Sequence, residues 1–325
     1  MRTKNQEQPV LRIGEENSSE MARKGLFPLL AFCSLNHSES PVNGALTIQT
    51  DLPVLGGSPS QEIWYAGEVS RRSESHGFQI AETSTWTVGT LVIEGGSLGE
   101  NTRKAYAALT AFLTDKRQHP VRLWNTIPQI HHKSGELNRY MRFCQERGSI
   151  LDRYLKSGFG GSLCAATAVG SERNRQILSF VAFHKAGQTC ENHRQVNAYE
   201  YPKEHGPTSP TFARAMRVAG PKDDLLFISG TASIVGHRSQ HPGHVVNQTA
   251  ETIRNLRVLL GPYTPVSLRI YLRRPKDLKS IQDAVQTAFG TKIFTLYIQA
   301  DICRRELLVE IEAVAEYPRT NSPNA

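Results

Sequence analysis

The order helix–strand–helix–strand–strand occurs twice along this chain, and no other feature constrains its fold as tightly. In the first half, Asn101–Asp115 places Tyr106, Leu109 and Leu113 at i, i+3 and i+7, the spacing of one helix face. Val121–Ile127 alternates as a strand and Leu137–Arg147 has a helical pattern. Ala165–Val169 and Ile177–Phe183 follow as strands. In the second half, Val246–Leu260 is helical, with Ile253, Leu256 and Leu260 on one face and Gly261-Pro262 as its stop. Val266–Leu272 is a strand, Asp277–Phe289 a helix closed by Gly290, and Ile293–Ile302 and Leu307–Ala315 are strands. Pro120-Val121 matches Pro265-Val266, and Ala166–Val169 matches Ala300–Cys303. The pattern predicts an α+β protein of two similar domains, residues 59–190 and 191–325, joined near 185–195. Two ordinary α+β halves that match by chance are the alternative.

Residues 1–58 are polar and rich in Gly, Pro, Ser and Asn, and are expected to be a partly ordered extension with one apolar segment, Gly25–Leu35. Met21-Ala-Arg-Lys before that segment gives it the look of a signal peptide. The acidic, polar stretch upstream and the missing small-x-small cleavage site argue for a strand entering the fold instead. The segment falls short of the ~18 apolar residues that a membrane span needs. With 325 residues, 39% apolar and 21% charged, the chain can bury a core. A net charge of +8 favours an anionic partner, and the scattered basic residues point to a small acid rather than a nucleic acid. Five cysteines, an odd number with no two close together, argue against a disulfide framework and a CxxC zinc site. A reducing compartment, the cytoplasm, is expected.

In the strand Leu307–Ala315, alternation sets Val309, Ile311 and Ala313 on one face and Glu310 and Glu312 on the other. That second face is either solvated or the wall of a pocket where burial makes a carboxyl a general acid. Cys303 precedes it, and Arg304, Arg305 and Glu306 look like turn-surface charges. Arg194, Tyr201 and Arg214 are dense for a connecting segment and could bind a carboxylate. Ser209-Pro210 has the pattern of a helix start. In Phe227–His237, Gly230 would let a ligand approach the backbone, and Thr231 and Ser233 offer hydroxyls. His237, His241 and His244 have loosely metal-like spacing, but no acidic partner lies nearby in sequence, so no metal is expected there. Phosphate loops, GxGxxG, HExxH and GxSxG motifs are absent.

Asn247-Gln-Thr…Asn255 followed by Val309-Glu-Ile-Glu-Ala-Val-Ala resembles the RidA/YjgF (chorismate-mutase-like) fold. Five longer motifs resemble the chorismatases. They are Arg122-Leu-Trp-Asn-Thr-Ile-Pro, Arg139-Tyr…Phe143-Cys, Arg194-Gln-Val…Tyr199-Glu-Tyr-Pro, Gly206-Pro-Thr-Ser-Pro-Thr-Phe-Ala-Arg-Ala and Ile228-Ser-Gly-Thr-Ala-Ser-Ile-Val-Gly-His. The resemblance spans residues 60–318 and implies two tandem RidA-like domains with mixed sheets and helices on one face, the C-terminal one carrying most of the site. It implies removal of the enolpyruvyl group of chorismate as pyruvate, without metal or organic cofactor. Glu310 would be the acid. Arg214, Arg194 and Tyr201 would meet the carboxylates, with Gly230, Thr231, Ser233 and Gln248 also at the substrate. Cys303 and Gly230 mark the branch that releases 3-hydroxybenzoate, in part with 4-hydroxybenzoate, rather than a dihydroxycyclohexadiene carboxylate. His205 departs from the Tyr that the resemblance leads one to expect. A homotrimer or a monomer is implied, with no nucleic-acid or membrane partner. Hydrolysis of chorismate to the dihydroxycyclohexadiene carboxylate and pyruvate, an imine deaminase, and a non-catalytic ligand- or nucleic-acid-binding protein of the same fold remain the alternatives.

Overall fold

The computed structural model describes residues 11–14, 18–33, 42–58, 61–157, 162–219 and 223–318. The chain opens with β1 (Leu11–Gly14), α1 (Ser18–Arg23), β2 (Phe27–Cys33), β3 (Leu46–Gln49), β4 (Val54–Ser58) and β5 (Glu62–Ala66). β1, β5, β2 and β3 form a small sheet in that order. The apolar segment is thus a strand, as expected. Leu29–Phe32 is buried, and the Phe32 ring lies 5.0 Å from that of Trp124. The described part of the extension is more structured than its polar composition suggests, because β2 carries enough apolar surface to anchor its neighbours on the core.

The first half continues with β6 (Arg71–Ser75), β7 (Phe78–Glu82), β8 (Trp86–Glu94), α2 (Leu98–Lys116), β9 (His119–Pro128), a two-residue hairpin of β10 (Lys133–Ser134) and β11 (Leu137–Asn138), α3 (Arg139–Lys156), β12 (Ala165–Ser171) and β13 (Arg175–Phe183). Ser97 caps α2 by accepting from the Glu100 amide at 3.3 Å, and Asn138 caps α3 by accepting from Met141 at 2.8 Å. α3 outruns its expected end at Arg147, because Ile150, Leu151 and Tyr154 extend its buried face.

The second half comprises β14 (Gln188–Cys190), β15 (Ala215–Ala219), β16 (Asp223–Ala232), β17 (Ile234–Val235), β18 (Arg238–Ser239), α4 (Val245–Leu260), β19 (Thr264–Leu272), α5 (Leu278–Phe289), β20 (Phe294–Gln299), β21 (Asp301–Ile302) and β22 (Val309–Pro318). Gly261 and Gly290, at φ 51° and 81°, end α4 and α5 in a conformation that side chains disfavour. Ser209-Pro210 starts no helix. The Ser209 hydroxyl instead donates to the Tyr201 carbonyl at 2.8 Å, holding an extended segment across the site.

The sheet of the first half has the order β21-β12-β9-β13-β8-β7-β6 and that of the second β4-β20-β19-β22-β16-β15-β14. The orders match strand for strand. Each half runs three strands, helix, strand, helix, a parallel strand and a last strand inserted beside the third. In each sheet the seventh strand is lent from elsewhere: β21 comes from the second half and β4 from the N-terminal region. The mixed sheets and helices make this an α+β fold. The sheet faces bearing Trp124 and Glu312 meet one another, with the Trp124 indole N–H donating to Glu312 at 2.8 Å.

Candidate active site

β22 lies between β16 and β19, and its alternation directs Glu310 and Glu312 to one face. That face is not solvated: the opposing sheet covers it, leaving the two residues 4% and 5% exposed. Their surroundings differ sharply. Glu312 is bound by Arg122, accepts from Thr167 at 2.6 Å and lies 3.3 Å from Arg269, which pairs in turn with Glu62 at 2.7 Å. Burial alone would raise its pKa, but Arg122 and Arg269 outweigh that and hold it below the usual carboxylate range. Glu312 is therefore an anion anchored in an alternating network, Glu62–Arg269–Glu312–Arg122.

Glu310 has no hydrogen-bond or ion-pair partner among the described residues. Burial, reinforced by the Glu312 charge, pushes its pKa up to about 8 against the opposing pull of Arg122 and Arg214. Its carboxyl is thus protonated at neutral pH. Gly230 on β16 makes this position possible, because a Cβ there would overlap Glu310 Oε1 and approach Thr167 Oγ1 to 3.1 Å. The requirement is close approach, not backbone conformation.

Glu310 opens into a cavity of about 270 Å³ between the halves. α3 and β12 form one wall. The segment 201–214, β16 and the loop 303–306 form the other. Arg214 donates to the Tyr201 hydroxyl at 2.7 Å and to the Val196 carbonyl at 2.9 Å, leaving its Nε unpaired. Arg147 is 1% exposed, stands 4.8 Å over the Phe143 ring and has an unpaired Nε. Its charge is flanked by the Tyr106 and Tyr140 hydroxyls and the Cys144 thiol, with no carboxylate among the described neighbours. Arg304 donates to the His237 carbonyl at 2.9 Å and keeps Nη2 unpaired. Three guanidiniums with unsatisfied N–H groups around one cavity suit a ligand with more than one carboxylate, since an unpaired buried charge is strongly unfavourable.

The structure brings Glu310, Cys303, Arg214, Tyr201 and Gly230 to this cavity. Burial, then Glu310, pushes the Cys303 pKa up to about 12, so it is a neutral thiol. Four expected substrate contacts lie elsewhere. Arg194 bonds Glu251 and Asn255, both at 2.5 Å, on α4. Thr231 and Ser233 alternate away from Gly230 and Ala232, their hydroxyls donating to the carbonyls of Ser229 at 2.9 Å and Gln240 at 3.1 Å. Gln248 accepts from the Leu308 amide and donates to the Glu306 carbonyl, both at 2.8 Å, so it braces the loop leading into β22. Arg304, Arg305 and Glu306, expected on the surface, line the cavity because β21 docks on the first sheet and Arg273 grips the loop at Ile302, Arg304 and Leu307. The three spaced histidines separate: His237 meets His205 and Glu204, while His241 approaches Glu251. Burial first, then Arg304, lowers the His205 pKa. Arg147 was missed, although it follows Phe143 and Cys144 by one helical turn and so shares their buried face.

A family model described as "Chorismatase FkbO/Hyg5-like, N-terminal" matches residues 62–182. A 3-hydroxybenzoate synthase from Streptomyces hygroscopicus is 30% identical over 278 residues, covering 79% of this chain and 81% of that protein. The chain belongs to the chorismatase family. A second relative from the same organism, named chorismatase, is 27% identical, covering 82% of this chain and 86% of its own. A chorismatase crystal structure shares the fold with a TM-score of 0.79 and 25% identity, covering 94% of this chain and 98% of that one. The protein is accordingly an enzyme of the chorismatase type, and its enclosed, arginine-lined cavity is one that a chorismatase can use. No helix among the described residues is long and apolar enough to cross a membrane.

Proposed function

We propose that this enzyme removes the enolpyruvyl group of chorismate and releases pyruvate and 3-hydroxybenzoate, with Glu310 as general acid. The observation that carries the reading is a buried, unpartnered carboxyl, its pKa raised by that burial, facing a cavity rimmed by unsatisfied guanidiniums. Arg147 and Arg214 would hold the substrate carboxylates, with Tyr201 fixing Arg214. Glu310 delivers its proton to the methylene carbon, leaving an oxocarbenium-like ether carbon. The ring carbon–oxygen bond then breaks, and its electrons complete the pyruvate ketone. The neighbouring ring hydroxyl closes on the vacated carbon as an arene oxide, which opens to the phenol. The proton lost in this sequence returns to Glu310, a stronger base than an ordinary carboxylate once ionised. The net reaction takes up no water, and its steps call on neither a metal nor an organic cofactor.

The product assignment is supported by Cys303, a neutral thiol beside Glu310, by Gly230 beneath it, and by the name of the 30% identical relative. The five cysteines are free, which suits work in the cytoplasm. The joined sheets supply within one chain an interface that separate domains would need a second copy to make, which favours a monomer over a homotrimer. Light scattering on the purified protein tests that.

The deciding experiment incubates the enzyme with chorismate and identifies products by chromatography and mass spectrometry. 3-Hydroxybenzoate with an equal amount of pyruvate is expected. A dihydroxycyclohexadiene carboxylate with pyruvate would overturn the product assignment. Unchanged chorismate would overturn the substrate.

A further inference from the structure

At the cavity mouth stand three side chains that the proposed chemistry does not use. His205 Nε2 lies 3.1 Å from His237 Nδ1 and 3.5 Å from a Glu204 carboxylate oxygen, and that oxygen lies 3.1 Å from His237 Nδ1. Tetrahedral zinc binds nitrogen and oxygen at about 2.1 Å, which sets its ligands about 3.4 Å apart. A point 2.1 Å from all three atoms exists about 0.9 Å out of their plane, so the spacing of the three atoms admits one ion. Two imidazoles and one carboxylate are the donor set that suits zinc in three-ligand sites. The rim is reachable, with the Glu204 side chain 55% exposed and the histidines 22% and 25%. Glu204 and His205 adjoin on one short turn, Lys203–His205, while the His237 backbone is held by Arg304. Arg304 opposes a cation there, and the Glu204 carboxylate offsets it.

We propose that Glu204, His205 and His237 form a zinc site at the mouth of the cavity, which aids capture of the anionic substrate. Zinc here takes no part in the proton transfer. It adds two positive charges beside Glu204 and His205, which line the cavity that a dianion must enter. The effect on substrate rests on the proposed chorismate reading, whereas the binding of zinc does not.

Equilibrium dialysis of the full chain against micromolar zinc, followed by metal analysis, tests the site directly. One zinc per chain is expected for the wild type and none for His205→Ala or His237→Ala, with circular dichroism confirming that both remain folded. Cobalt offers a second readout: the intense visible bands of a tetrahedral ion should appear in the wild type and vanish in His237→Gln. Failure to retain zinc, or equal retention by the variants, would overturn the site in favour of a plain hydrogen-bonded cluster. With chorismate as substrate, zinc-loaded enzyme should show a KM lower by about threefold or more than chelator-treated enzyme, with kcat little changed. Bound zinc with an unmoved KM would overturn its role in capture and leave the binding site standing.

Discussion

The two halves share a strand order, yet only one carries carboxyls on its last strand, the proposed acid among them. Their last strands, β13 and β22, occupy the same place in their sheets. Ile177 stands opposite Thr126 as Glu310 stands opposite Tyr271, and Ser179 opposite Trp124 as Glu312 opposite Arg269. All four residues on the last strands are buried. In the first half they are an isoleucine and a serine, the serine 2.9 Å from the Thr90 hydroxyl. In the second they are carboxyls whose pKa values have been driven apart. The first half's contribution is support, because Arg122, Trp124 and Thr167 reach across to hold Glu312. Duplication allows this division: one copy keeps a last strand free of carboxyls and grips through Arg122, and the other carries the carboxyls.

The largest expected effect comes from removing the difference outright. Glu310→Gln should lower turnover by about 10²- to 10⁴-fold while folding survives. Steady-state rates on chorismate read this, and near-normal turnover would end the acid assignment. The same substitution has a stability signature. In the unfolded chain Glu310 ionises near pH 4.5, but in the folded chain it holds its proton to about pH 8. The wild type therefore loses stability as pH climbs between those values, and the glutamine variant does not. Thermal unfolding should show the variant gaining on the wild type from pH 5 to pH 9. Wild-type activity should decline as pH rises through about 8.

Breaking the grip comes next. Arg122→Ala leaves Glu312 without its closest cation and should cost about 3–5 kcal/mol in chemical denaturation. Gly230→Ala should displace the Glu310 carboxyl and lower kcat by up to about 10²-fold at nearly unchanged stability, measured as kcat against melting temperature. Arg147→Ala should raise KM for chorismate, whereas Arg194→Ala should act through stability alone, since its partners are Glu251 and Asn255. The smallest effect belongs to the neutral counterpart. Ser179→Ala should cost about 1 kcal/mol through the Thr90 hydroxyl and leave turnover within about twofold.

The helices and strands were legible because each buries one face, and periodicity records that. Alternation along β22 also showed that Glu310 and Glu312 share a face. It could not show that a second sheet covers the face, because the covering residues lie more than a hundred positions away in sequence. The same alternation should have separated Gly230 from Thr231 and Ser233, whose hydroxyls were assigned to the pocket only for their chemistry. Arg194 and Arg147 could not be ranked from the sequence either. What distinguishes them is Glu251 on α4, which pairs with Arg194. Two-residue β21 carries no pattern at all, yet it brings Arg304, Arg305 and Glu306 to the cavity.

The lent strands bear on how such a chain is made. Val169 pairs with Ile302, so on the ribosome the first sheet waits with a bare edge until nearly the whole chain has emerged. The β20 edge is closed by β4, from a region that composition alone would mark as dispensable. Trimming the N-terminus past Ser58 would uncover a strand ready to stitch onto a neighbouring molecule. A truncated enzyme would then be lost to aggregation before it was lost to chemistry.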